Sequence, residues 1–198
     1  MVSSEPETQS PQRRNLRQIR EWAVVLATSL LVAAGLRTFV VQQYYIAGPS
    51  METTMFGDDR VLVNKLAYRF SDPSRGDVIV FDRITGNGDT VQHDDLIKRV
   101  IGLPGETVEI KDCVVLINGT PIDEPWLAAE MRDVTLDAGT RCGTAEMSAS
   151  VVGAKQVFLM GDNRPMSFDS RMFGPIDIEL IVGRAVVIIW PPSDMTML

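Results

Sequence analysis

The chain has 198 residues, 45% of them apolar and 23% charged, and a formal net charge of −7. That is enough apolar material for a sizeable core in one domain, or one domain with an insertion, and it excludes a wholly disordered chain. The acidic balance, with no basic run beyond the N-terminal arginines, excludes the positive surface that a nucleic-acid partner requires.

Residues 1 to 12, "MVSSEPETQSPQ", are polar and lack periodicity, which predicts a disordered tail. Arg13, Arg14, Arg17 and Arg20 follow, and residues 1–21 together read as a disordered cytoplasmic tail. The 20 residues from Trp22 to Val41 are almost all apolar and would span about 30 Å as a helix, one hydrocarbon core. A single transmembrane helix at 22–41 is therefore expected, with residues 42–198 outside the cytoplasm. Arg37 leaves only 15 charge-free residues, Trp22 to Leu36, so a cleaved secretory signal competes with this reading. The continuation through Phe39, Val40 and Val41, with Arg37 snorkelling toward headgroups, favours the uncleaved anchor.

From residue 42 onward there are 14 Lys and Arg against 23 Asp and Glu. Short runs rich in Val and Ile recur between turn residues: "RVLVNKLAY", "DVIVF", "LIKRVIGL", "ETVEIKDCVVLING", "QVFLMG" and "GRAVVIIW". This is the pattern of an antiparallel β-domain. Asn118-Gly119 marks a type I′ hairpin. Residues 120–152 are less periodic and predict a smaller lobe inserted into the main domain, about 107–152 with its flanking strands. Cys113 and Cys142 are the only cysteines. An external location would let them form a disulfide, but their spacing leaves bridge and free thiols equally open.

A hydrolytic serine needs a base. The one histidine, His93, lies in "TVQHDDLI", read as a solvated polar turn before a strand, which argues against a Ser-His-Asp triad or a histidine metal site. Lysine can serve instead if burial leaves its amine neutral. Of Lys65, Lys98, Lys111 and Lys155, strand alternation puts Lys98 between Leu96 and Val100, with Arg99 on the opposite face beside Ile97 and Ile101. Lys111 shares a face with Glu109; Lys65 and Lys155 are ambiguous. "MGDNRPMSFDSRMFGPI" then concentrates Ser167, Asp169, Ser170 and Arg171 after a turn at Gly161 to Arg164. An Asp-Arg pair there could simply tie a loop, or Ser167 could orient the lysine.

"PSMETTM", "RGDVIVF", "IKRVIGLPGE" and "GDNRPMSFDSRMFG", in that order after an N-terminal apolar segment, resemble the bacterial type I signal peptidases. The resemblance covers the anchor and nearly all of residues 44–190, and is weakest over 120–152. It implies a membrane-anchored Ser-Lys endopeptidase that uses no metal or cofactor. It makes Ser50 the nucleophile, Lys98 the general base and Ser167 the residue that hydrogen-bonds Lys98. Asp169 and Arg171 become loop supports, and Asp162, Asn163 and Arg164 a turn with less definite roles. The implied partners are the lipid bilayer and secretory preproteins carrying small residues at −3 and −1. No substrate-binding residue is identified. Thr53 stands where the signature has proline, Pro165 and Met166 replace Asp-Asn, and Phe173 stands where tryptophan is more common. With Gly48 two residues before Ser50, the oxyanion would rest on backbone amides, including that of Ser50.

Two other readings compete. A self-cleaving repressor would share the dyad, but it has a DNA-binding module and no anchor. A tethered β-domain that binds peptides without cutting them is kept open by Thr53 and Pro165.

Overall fold

The computed structural model describes residues 11–87 and 90–198. The chain divides into two compact units at Val40/Val41. The first contains helix α1, Pro11–Phe39. Residues 1–10 of the expected tail lie outside the described residues, but 11–21 are helical, which corrects the expectation of a disordered segment there. Proline at the first helical position costs no hydrogen bond, and the Gln, Arg, Leu and Glu that follow are good helix formers. Among the described residues, no helix is long and apolar enough to cross a membrane. Arg37 is exposed in the last turn of α1, and Trp22, Val24, Val25, Leu26, Leu30, Leu31, Val32 and Phe39 are also exposed.

The second unit is mainly β. Its elements in chain order are β1 Val41–Tyr45, β2 Arg60–Asn64, β3 Val78–Asn87, β4 Thr90–Gly102, β5 Thr107–Lys111, β6 Val114–Ile117 and β7 Thr120–Pro121. After these come α2 Ala129–Arg132, α3 Ala138–Arg141, β8 Met147–Val151, β9 Gln156–Met160, α4 Ser170–Phe173, β10 Ile176–Asp177, β11 Ile181–Trp190 and β12 Thr196–Met197. One sheet has the order β1-β2-β11-β3-β4-β9-β10, with β12 paired to β11; the other runs β7-β6-β5-β8. Every pair is antiparallel. The second sheet occupies the range in which a smaller lobe was expected, while Val41–Leu198 stays one compact unit.

Alternation along β4 distributes its side chains among three cores. Leu96 and Val100 pack with Ile79, Phe81 and Leu159. Ile97 packs with Ile46, Met51 and Met55, and Ile101 with Val108 and Phe158. Val100 and Ile101 are fully buried and contribute roughly 1.5–3 kcal/mol each, while Leu96 and Ile97 are partly buried. Ile46 and Met55 are thus core residues.

Asn118 and Gly119, at φ 52° and 80°, connect β6 to β7 as the expected type I′ turn. Asp112 and Cys113, at φ 48° and 67°, make an equivalent turn between β5 and β6 that composition did not reveal. Cys113 in this turn is bonded to Cys142 at the end of α3, deciding the question the sequence left open. His93 lies within β4 opposite Ile84, not in a turn, and its Nδ1 is 2.6 Å from Asp82 Oδ2.

Candidate active site

After β1, Gly48 is extended and Pro49–Met51 forms a single 3₁₀ turn. Met51 is fully buried and pins the turn, leaving Ser50 half-buried. Lys98 comes from β4 and is 3% exposed. Its Nζ is 2.7 Å from Ser50 Oγ and 2.8 Å from the Ile97 carbonyl oxygen. Neither contact is a carboxylate. Burial lowers the Lys98 pKa from its ordinary 10.5 to about 8, against the opposing pull of Asp169 and Asp162. Near neutral to mildly alkaline pH a useful fraction of the amine is therefore neutral.

The third strand of the site is the turn after β9. Asn163 N–H donates to the Ser50 carbonyl at 3.1 Å, and Asn163 Nδ2 to Glu52 at 3.2 Å. Gly161 is required by close approach, since a Cβ there would overlap the Ser50 carbonyl and Ser167 Oγ. Asp169 accepts the Gly161 N–H at 3.0 Å and caps α4. Burial works against its ionised form, but the Arg171 guanidinium outweighs this and holds Asp169 below the usual carboxylate range. Arg171 also donates to the carbonyls of Arg164, at 2.6 Å, and Cys142, at 2.8 Å. Ser167 Oγ is buried against Gly161 on the Asp169 side, where it helps keep that carboxylate ionised, while the hydrogen bonds of Lys98 go to Ser50 and the Ile97 carbonyl.

A cavity of about 180 Å³ opens beside the Ser50–Lys98 pair. One wall is Tyr44 to Gly48 and the other is Asp95 to Lys98. β1 is a sheet edge, and β9 pairs with β4 only from Arg99 onward, so both walls come from strand margins. Burial and the Asp95 carboxylate push the Tyr44 hydroxyl up to about 12, so it stays protonated.

The family model described as signal peptidase, peptidase S26, matches residues 19–190. The chain belongs to this signal peptidase family. It is 36% identical over 178 residues to a probable signal peptidase I-2 of Synechocystis, covering 90% of this chain and 76% of that one. It is 35% identical to a signal peptidase I of Leptolyngbya laminosa, covering 98% and 87%. For a signal peptidase IB of Staphylococcus aureus strain COL the identity is 34%, covering 90% and 93%. A crystal structure of a signal peptidase I from Enterococcus faecalis V583 shares 31% identity at a TM-score of 0.43, over 58% of this chain and 97% of that one. The chain is accordingly a hydrolase, a serine endopeptidase of the signal peptidase I type.

Within this signal peptidase, Thr53 has φ 81°. Proline, fixed near −65°, could not adopt that backbone, so the departure from the signature is a departure in turn geometry. Sequence reading missed Arg99, Glu124 and the cavity wall at Tyr44 and Asp95. Arg99 is 6% exposed; it holds both oxygens of Asp162, at 2.8 and 2.5 Å, and donates to the Gly76 carbonyl. Its pattern position, buried among isoleucines, was the available signal, because such an arginine needs a carboxylate.

Proposed function

We propose that this chain cuts signal peptides from secretory preproteins with a Ser50–Lys98 dyad. The observation that carries the reading is the 2.7 Å contact between a buried lysine amine and a serine oxygen beside an open cleft. Neutral Lys98 takes the Ser50 proton as Oγ attacks the scissile carbonyl, then protonates the leaving amine. The resulting acyl-enzyme is hydrolysed by a water that Lys98 activates. The Ser50 N–H, at the start of a 3₁₀ turn and so without an intrahelical acceptor, helps hold the oxyanion. Asp169 and Arg171 hold the supporting loop. Ser167, packed against Gly161, is proposed to orient Lys98.

An extended substrate lies between Tyr44–Gly48 and Asp95–Lys98, pairing with strand margins. The shallow apolar cavity suits small side chains at −1 and −3. Residues 107–152 act as a smaller lobe supporting the catalytic sheet. Helix α1 anchors the chain in the bilayer, with the N-terminus cytoplasmic and residues 42–198 outside. Its exposed apolar side chains support this, and local thinning with Arg37 snorkelling accommodates the short apolar stretch.

The test is cleavage of a preprotein bearing an Ala-x-Ala site by detergent-solubilised full-length protein. The parent is expected to cut it, and folded Ser50→Ala and Lys98→Met variants are not. Cleavage retained by either variant rules out the dyad, and a folded parent that cuts nothing returns the chain to the peptide-binding reading.

A further inference from the structure

Glu124, in "DEPW", follows β7 in a stretch without helix or strand, and the chemistry above gives it no part. It is nevertheless 8% exposed. A carboxylate that deeply withdrawn from water carries a large desolvation cost unless it is paired. Arg164, itself 3% exposed, meets it with both terminal nitrogens. Nη1 donates to Oε2 at 3.0 Å and Nη2 donates to Oε1. The third guanidinium nitrogen, Nε, donates to the Gly161 carbonyl at 3.1 Å. Gly161 opens the turn whose Asn163 N–H holds the Ser50 carbonyl. Two residues beyond Glu124, Trp126 lies 5.1 Å from the Arg99 guanidinium, whose fork grips Asp162 of the same turn. Arg99 directly follows Lys98. One short loop therefore braces the Gly161–Asn163 turn from two directions, and that turn contacts the backbone of Ser50.

We propose that Glu124 is a positioning residue for the Ser50–Lys98 pair, acting through Arg164 on the Gly161–Asn163 turn, with Trp126 as a second brace through Arg99. The inference rests on the dyad reading above. A purely stabilising ion pair is available for contrast: Arg75 Nη2 lies 2.6 Å from Glu106 Oε1, and Glu106 accepts the Leu103 N–H, with no bond to the catalytic turn.

Steady-state cleavage of an Ala-x-Ala preprotein by the full-length protein tests this with Glu124→Gln, Glu124→Asp, Glu106→Gln and Ser50→Ala, each checked for melting temperature. A misplaced nucleophile is expected to cost Glu124→Gln roughly 10²-fold in kcat. Its KM should stay within about twofold, since the cleft walls are untouched. Glu124→Asp should regain part of the loss, and Glu106→Gln should keep the parent kcat whatever it loses in melting temperature. A parent-like kcat in folded Glu124→Gln overturns the proposal, as does an equal loss in Glu106→Gln. If Glu124→Gln does not fold, Trp126→Leu, which leaves the ion pair intact, gives the same readout: kcat falls or the proposal fails. An active Ser50→Ala would sink the dyad itself, independently of the Glu124 result.

Discussion

Lys98 and Arg99 are consecutive cations on one strand, nearly equally buried at 3% and 6% exposure, yet they face opposite sides of it. Arg99 has both oxygens of Asp162, the Gly76 carbonyl and the face of Trp126. Lys98 has only a serine oxygen and a carbonyl. Burial is common to the two, so it cannot alone explain reactivity. A buried cation with a carboxylate fork keeps its charge and becomes a structural brace. One without a bonded carboxylate releases its proton more readily and becomes a candidate base.

The contrast is broken most severely by placing a guanidinium on the reactive face. Lys98→Arg cannot give up its proton near physiological pH, and activity is expected to fall at least about 10³-fold. Preprotein cleavage by folded protein measures this. On the other face, Arg99→Met strands the Asp162 carboxylate and should cost about 3–5 kcal/mol in chemical denaturation. The double variant Arg99→Met/Asp162→Leu should recover much of that loss.

Stability should respond in the opposite sense at Lys98. Because its folded pKa, about 8, lies below the ordinary 10.5, the unfolded chain binds more protons between these values. Stability from this group therefore rises with pH across that window, and below pH 8 the buried ammonium is a liability. Lys98→Met should be more stable than the parent at pH 7, by an amount on the order of 2–3 kcal/mol. The gain should shrink toward pH 10, which melting curves at both pH values would reveal.

The mildest test concerns the turn that carries Thr54 to Asp162, a 2.5 Å hydrogen bond. Thr53 occupies a left-handed conformation there that a β-branched residue adopts only under strain. Thr53→Gly should gain about 1 kcal/mol in denaturation, and Thr53→Pro should lose more than that.

Local rules carried the sequence reading where the determinants were local. Alternation over Leu96 to Ile101 placed Lys98 and Arg99 on different faces, and Asn-Gly marked its hairpin. The Asp112-Cys113 turn escaped because neither residue advertises positive φ as glycine does. Polar neighbours around His93 mimic a turn and mask a strand whose outer face is solvated. The helical start at Pro11 was hidden by composition that also suits a tail. Arg99–Asp162 and Glu124–Arg164 join residues 63 and 40 positions apart, and only the assembled fold reveals such pairs. The hydrogen bond from Ser167 to Lys98 was carried over from the resemblance, but here that hydroxyl faces Gly161.

Whether Lys98 is the base is decided most directly by the pH dependence of kcat/KM for preprotein cleavage, measured with the full-length protein from pH 6 to 10. A buried lysine that must be neutral predicts a rate rising roughly tenfold per pH unit below a midpoint near 8, then levelling. A profile that is flat across neutrality, or that falls above pH 7, would mean that some other group takes the Ser50 proton.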